Sequence, residues 1–414
     1  MITEGSGLLI DGVILGAEGR PSLDLMSGNM PLVQIVNIYE SIFEQYQTAS
    51  LIIHDGLGLI ETYPITGLEY IYIRYTSVES MHTPLEKVFR IYDIQAIEHD
   101  PLKPRMMYRL ELVSDLLIQS NKQQLQCSYF NKTEDEIVKI ICEDNLDVDI
   151  TNKFTSDTAQ FKRNITAPNM TPLEFIDYMT DQAVNTRPSQ AANFLFFENS
   201  RGANFVSMET LFEKDVDWNL GTITGSNPVT EEGFSNIQNL TVQSLGKPVE
   251  NRKKFIFGGK MQKVDLIEKT VTSRDYSFEK DLLESQAYID EKGFTPWTLR
   301  EDDLSPRSRI ETVYNHGSFK YLDKSIPTRC MSMAQLDGIV ITVTMSGNTG
   351  ITAGDKVNLR YPSIVTDDQG RKHRYLSGNY IVANCNQQII QNLAYTVLDL
   401  VKPTYRNEIE EMSR

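Results

Sequence analysis

Two-residue alternation of apolar and polar side chains, near both ends of the chain, is the feature that most limits its fold. Ile339, Ile341 and Val343 share one side of the run Ile339–Thr344, and Lys356–Tyr361 (KVNLRY) alternates without a break. A period of two marks a strand with one buried face. Near the other end, Tyr108, Leu110 and Leu112 fall on one face of Tyr108–Val113, while Arg109 and Glu111 take the other. Leu68–Tyr75 (LEYIYIRY) and Val88–Ile94 (VFRIYDI) add the aromatic and branched residues that strands favour. Gly56, Gly58 and Gly67 stand between these runs as turn residues. Strands packed this closely within about 115 residues predict an antiparallel barrel or small sandwich. Tyr380–Val382 and Tyr395–Leu400 read as further strands, with turn chemistry at Gly354-Asp355, Pro362 and Ser377-Gly378.

The middle of the chain changes period. Thr133 followed by Glu136 forms a capping box, and Ile137, Ile140 and Ile141 then repeat at helical spacing. A second start, Thr171-Pro172-Leu173-Glu174, places proline at the first helical position. Leu173, Ile176 and Met179 supply its apolar stripe as far as Ala183, and Arg187-Pro188 stops it. The stretch NFLFFENSRGANFVSMETLF follows, residues 193–212, with two apolar runs flanking Asn199-Ser200-Arg201-Gly202. It predicts a hairpin that supports or forms an assembly surface, its apolar runs being either core or interface. Residues 276–329 read as an insertion, with a helix over SFEKDLLESQAYIDEK (277–292) and a surface loop over PWTLREDDLSPRSR (296–309).

Composition narrows the function. The 414 residues contain 40 basic and 56 acidic side chains, a net charge of −16, which repels a phosphate backbone and disfavours general nucleic-acid binding. The apolar runs fall far short of the roughly 20 residues of a membrane helix. The N-terminus MITEGSGLLIDGVILG lacks the form of a signal peptide, so synthesis and folding in the cytoplasm are expected. Cys127, Cys142, Cys330 and Cys385 have neither disulfide-framework nor zinc spacing and are expected as buried structural thiols.

No pattern selects a catalytic, cofactor or metal site. Gly56-Leu57-Gly58 lacks the third glycine of a dinucleotide fingerprint. His54, His82, His99, His316 and His373 do not stand at metal-ligand spacing. Counting an EF-hand from Asp144, past Asp147, puts Asp149 where glycine belongs and Thr155 where glutamate belongs. Ser200 and Ser207 have no histidine nearby in sequence, and nothing singles out one pair of carboxylates for glycoside hydrolysis. Arg252, Lys253, Lys254, Lys260 and Lys263 form a basic run, read either as a plain exposed strand or as a patch that meets an acidic partner or a neighbouring copy.

Three stretches resemble the baseplate central hub protein of contractile-tailed, T-even-like bacteriophages. They are NIYESIFEQYQTASLIIHDG (37–56) with the turn Pro64–Gly67; the capped helix and hairpin of residues 168–211; and GDKVNLRYP (354–362) with YLSGNYIV (375–382). The resemblance implies an α+β, mainly β chain with two tube-type antiparallel β-barrel domains, an α/β module and an insertion. The corresponding division is a first barrel at 1–115, the α/β module at 116–215, and a second barrel at 216–275 and 330–402. The insertion then occupies 276–329 and a tail 403–414. It further implies a non-enzymatic homotrimer in the virion tail baseplate, assembled in the host cytoplasm, without cofactor or membrane insertion. Such a ring adapts a sixfold tail tube to a threefold central spike, which can itself bear a lysozyme. Its partners are tail tube, spike and baseplate wedge proteins, with DNA passing through the lumen unbound. The competing readings are a tail-associated cell-wall hydrolase and a β-rich receptor-binding module.

Overall fold

The computed structural model describes residues 6–27, 32–63, 65–67, 69–77, 84–100, 105–221, 234–246, 256, 258–290, 310–315, 321–336, 338–361, 373, 376–390 and 393–403. The chain opens with strands β1 (Ser6–Gly16), β2 (Leu23–Asp24), β3 (Val33–Ser41) and β4 (Thr48–Asp55), and a single helical turn α1 (Leu59–Thr62). Strands β5 (Tyr70–Ser77), β6 (Leu85–Asp100) and β7 (Arg105–Ser114) follow. The predicted alternation holds, since Tyr108, Leu110 and Leu112 are buried while Arg109 and Glu111 are only half-buried. Together with Val36, Ile38, Leu51, Ile53, Ile73 and Phe89 they fill one continuous core.

Helix α2 (Asp115–Asn121) leads into a mixed unit of β8 (Ser128–Lys132), α3 (Glu134–Asp144), β9 (Phe154–Ser156), β10 (Arg163–Thr166) and α4 (Pro172–Gln182). Both predicted capping boxes form, Thr133 with Glu136 and Thr171 with Glu174, so each helix starts where its sequence says. Strands β11 (Phe194–Asn199) and β12 (Gly202–Ser207) make the predicted hairpin, and α5 (Met208–Glu213) follows.

The remaining strands are β13 (Trp218–Gly221), β14 (Phe234–Leu245), β15 (Gly258–Asp265), β16 (Thr270–Ser277) and β17 (Ile310–Asn315). After helix α6 (Leu322–Leu336) come β18 (Ile339–Ser346), β19 (Lys356–Arg360), β20 (Gly378–Ile390) and β21 (Leu393–Lys402). The main sheet runs β19-β13-β14-β18-β21-β20-β3-β4-β7-β6-β5-β1-β2, with two further pairings, β19 to β20 and β21 to β1. Each extra pairing closes a ring. The strands β19, β13, β14, β18, β21 and β20 make one barrel, and β21, β20, β3, β4, β7, β6, β5 and β1 make the other. The pairing is predominantly antiparallel, except that β13 runs parallel to both of its neighbours. The two barrels therefore share the β20–β21 hairpin. Asn384–Ile390 of β20 pair with β3, more than 340 residues away in sequence, while Lys356–Leu359 of β19 pair with its first residues. The fold is α+β and mainly β, with two tube-type barrels, as expected.

Two expectations on residues 276–329 change. The helix predicted over 277–292 reduces to a π-helical turn at Glu279–Leu283. Beyond it the chain is held by distant contacts that override helical propensity. Ala287 N–H donates to Glu209 Oε2 at 2.9 Å, Ile289 is buried, and Asp290 pairs with Lys402 at 2.7 Å. Helix α6, with Pro327 inside it, runs through the position 329/330 at which the insertion was expected to end. The loop expected at 296–309 lies outside the described residues.

Candidate functional site

The β11–β12 hairpin is buried on both faces, which a hairpin with one wet face would not allow. Phe194, Phe196, Ala203 and Phe205 enter the core of the mixed unit beside Ile137, Phe175 and Met179. Leu195, Phe197 and Val206 point the other way, with Met208, Leu211 and Phe212, into a cluster that includes Ile42, Ile381, Ala383 and Val401. The apolar runs are therefore core within one chain and do not themselves form an assembly surface.

The hairpin tip is held by both barrels. Asn199 Oδ1 accepts from the backbone N–H groups of Arg201 (3.0 Å) and Gly202 (3.2 Å), which shapes the turn. From the second barrel, the Ala353 carbonyl accepts from Asn199 Nδ2 at 2.9 Å, and Asp355 accepts from both Arg201 terminal nitrogens at 2.6 and 2.9 Å. Asp355 also accepts from Trp218 Nε1 and Lys214 Nζ, each at 3.2 Å. From the first barrel, Lys87 Nζ donates to the Asn199 carbonyl at 3.0 Å. Beside this joint, buried Glu40 of β3 accepts from Gln47 Nε2 (2.6 Å), Ala353 N–H (3.1 Å) and the Thr352 hydroxyl. Burial raises its carboxyl above the ordinary range, opposed by the Thr352 hydrogen bond. Every group here has a fastening role. Ser207 caps α5 by accepting from Thr210 N–H, and no histidine among the described residues hydrogen-bonds to it.

The shared hairpin also carries a line of polar side chains from one barrel to the other, of which Asn37 and Ser50 are buried and the rest half-buried. Thr342 Oγ1 donates to Asp399 Oδ1 (2.7 Å), and Asn384 Nδ2 to Asp399 Oδ2 (3.0 Å). Ser41 Oγ donates to Asn384 Oδ1 (2.7 Å), carrying the belt onto β3. Gln388 Nε2 donates to Asn37 Oδ1 (2.9 Å), and Asn37 Nδ2 to Ser50 Oγ (3.3 Å), carrying it onto β4. Most of these side chains are uncharged, and the belt's own members satisfy one another. Sequence reading missed this feature, because it exists only once β20 lies beside β3. Asn37, Ser50 and Asn384 stand between apolar neighbours, which is the one signal available, whereas Ser41 and Gln388 follow the buried polar Glu40 and Gln387.

Other candidates resolve simply. His54 Nδ1 meets Gln34 Nε2 at 3.0 Å, and His373 Nδ1 accepts from Leu376 N–H at 3.2 Å. His82 and His316 lie outside the described residues. Asp149 accepts from Thr151 and Asn152 N–H groups in a solvated loop. No cluster of three metal-ligating side chains occurs among the described residues. Cys142 and Cys385 are buried, but Cys127 and Cys330 are exposed, which corrects the expectation of four buried thiols. Lys260 pairs with Asp275 and Lys263 with Asp323, both at 3.8 Å, so part of the basic run finds acidic partners within the chain. Arg252, Lys253 and Lys254 lie outside the described residues.

No protein-family model matches the chain. The probable baseplate hub protein gp334 of Vibrio phage KVP40 is 25% identical over 391 residues, covering 88% of each chain. The chain resembles a phage baseplate hub protein. Solved structures agree on the fold. A 43 kDa tail protein of prophage MuSo2 from Shewanella oneidensis matches with a TM-score of 0.53 at 11% identity, over 95% of this chain and 98% of its own. A tail protein from Neisseria meningitidis MC58 matches with a TM-score of 0.54 at 9% identity, over 96% and 97%. By their printed names the first of these relatives is a probable baseplate hub protein and the other two are tail proteins. No helix among the described residues is long and apolar enough to cross a membrane.

Proposed function

We propose that this chain is a central hub subunit that closes into a homotrimeric ring between a sixfold tail tube and a threefold spike. The observation that carries this reading is the β20–β21 hairpin shared by both barrels. Two barrels built on one strand pair keep a fixed relation to each other, so three chains present six barrels in a rigid pseudo-sixfold arrangement. A ring of this kind uses heterologous contacts whose rotation closes. The barrels fall within residues 1–115 and within 216–246 with 338–402, sharing β20 and β21, while β15 and β16 stand outside both in a separate sheet with β17; the mixed unit corresponds to 116–215, with the hairpin tip as the joint. The account is purely geometric, with no turnover step; the spike, tube and wedge proteins are its partners.

In this reading the half-buried part of the polar belt, Thr342, Asp399, Asn384, Ser41 and Gln388, faces the lumen. Its donors are engaged within the belt and its charge is low and acidic, so a passing DNA backbone meets neither lysine clusters nor a sticky apolar surface. Negative-stain images of the purified protein test the reading. Threefold particles with a central hole are expected; compact single-chain particles at every concentration would oppose it.

A further inference from the structure

We infer that Glu40 is a proton-operated latch between the two barrels, which fastens their joint while its carboxyl is neutral and loosens it once ionised. The inference concerns a single chain and stands apart from the ring reading. Glu40 belongs to β3 of the first barrel and is 3% exposed. Its carboxyl reaches the loop between β18 and β19 of the second, where the Thr352 hydroxyl and the Ala353 N–H (3.1 Å) donate to Oε2. From its own barrel Gln47 Nε2 donates to Oε1 at 2.6 Å. One buried carboxyl thus ties together residues 312 and 313 positions apart in sequence.

None of these donors is a cation. The nearby cations are engaged elsewhere: Lys87 of β6 with the Asn199 carbonyl (3.0 Å) and Glu198 (4.0 Å), and Arg201 with Asp355 (2.6 and 2.9 Å). Lys87 and Arg201 attract the carboxyl at longer range, and Asp355 repels it. Tyr75 of β5 and Cys385 of β20 also face it, and burial pushes both up, so they stay uncharged. An ion held inside a protein without a counter-charge loses more hydration than hydrogen bonds from neutral donors return. Burial accordingly raises the Glu40 carboxyl above its ordinary range.

The neutral state is also provided for. Gln47 Oε1 is buried and accepts no hydrogen bond among the described residues. Turning the amide over brings Oε1 to Glu40, where it accepts the carboxyl proton. Folded, Glu40 therefore keeps its proton to a higher pH than it does when the joint opens to water. Its contribution to stability is complete below the ordinary value of 4.5 and is lost as pH rises through the raised folded value. Mild acid tightens the joint and alkali slackens it.

The test is hydrogen exchange, read by mass spectrometry over residues 347–355, in the wild type and in Glu40→Gln at about pH 5 and about pH 8, with intrinsic exchange rates removed. The amide is the isostere of the neutral carboxyl: its NH2 donates to Gln47 while its oxygen accepts from Thr352 and Ala353. Glu134 is present in both chains and cancels from the comparison. The latch predicts a wild-type loop at least about threefold better protected at the lower pH. It predicts a Glu40→Gln loop equally protected at both, at the wild type's acid level. A wild-type loop with the same protection at both pH values overturns the latch. So does a Glu40→Gln loop that keeps the wild-type pH dependence or is as loose as the alkaline wild type. A Glu40→Gln chain that loses its fold also overturns it, because the neutral joint would then not hold.

Discussion

At the residue scale, the chain places several carboxylates where sequence alone would put surface charge. Asp355 sits in a polar-apolar alternating neighbourhood, yet it is fully buried and fastens the hairpin tip to the second barrel. Asp355→Ala removes the acceptor for the half-buried Trp218 and buried Thr352 donors and is expected to cost about 1–3 kcal/mol in chemical denaturation. An unchanged midpoint would contradict that role. Glu134, at the start of α3, forms a wholly buried pair with Arg163 at 3.0 Å. Desolvation pushes its carboxyl up to about 7 against the opposing pull of Arg163. Between about pH 4.5 and about pH 7 the folded chain then holds a proton that the unfolded chain has released, so this group makes stability fall as pH rises through that window. Thermal midpoints measured across the window should decline for the wild type and less so for Glu134→Gln; identical slopes would dismiss the effect. Neither carboxylate was legible, because Asp355 is held by Trp218, Lys214 and Arg201, 137, 141 and 154 residues away, and Glu134 by Arg163 on a later strand, contacts that only the fold creates.

At the element scale, legibility follows the range of the forces involved. The two capped helices and the β18 alternation are set by neighbours in sequence, and both were readable from Thr133, Thr171 and Ile339–Val343. Helix α6 was not, because Pro327 is a local stop signal that packing of Met331 and Leu336 overrides. Lys356 fits an alternating strand yet is buried, since its Nζ donates to the Phe212 carbonyl at 2.6 Å. The hairpin turn carries one hard backbone constraint. Gly202 has φ of +136°, and a Cβ there would collide with the Lys153 carbonyl. Gly202→Ala is expected to destabilise by more than about 1 kcal/mol in urea unfolding; a wild-type midpoint would refute the constraint. The shared hairpin has its own test in hydrogen exchange. Amides of β20 facing β3 should open together with those of β18 and β21, as one unit. Independent opening of the first barrel would show that the shared strands do not couple the two.

At the scale of the whole molecule, two barrels were legible as two separated zones of alternating residues, and the hub resemblance supplied their type. That they share one hairpin was not legible, because pairing Ile35–Ser41 with Asn384–Ile390 leaves no local trace. That shared hairpin ties the two barrels of each chain together and is the basis of the proposed ring. The mass of the purified protein in solution, by light scattering, tests the ring most directly. The expected value is about three times 47.2 kDa. A mass that stays at that of one chain across the accessible concentration range would contradict the self-closing hub.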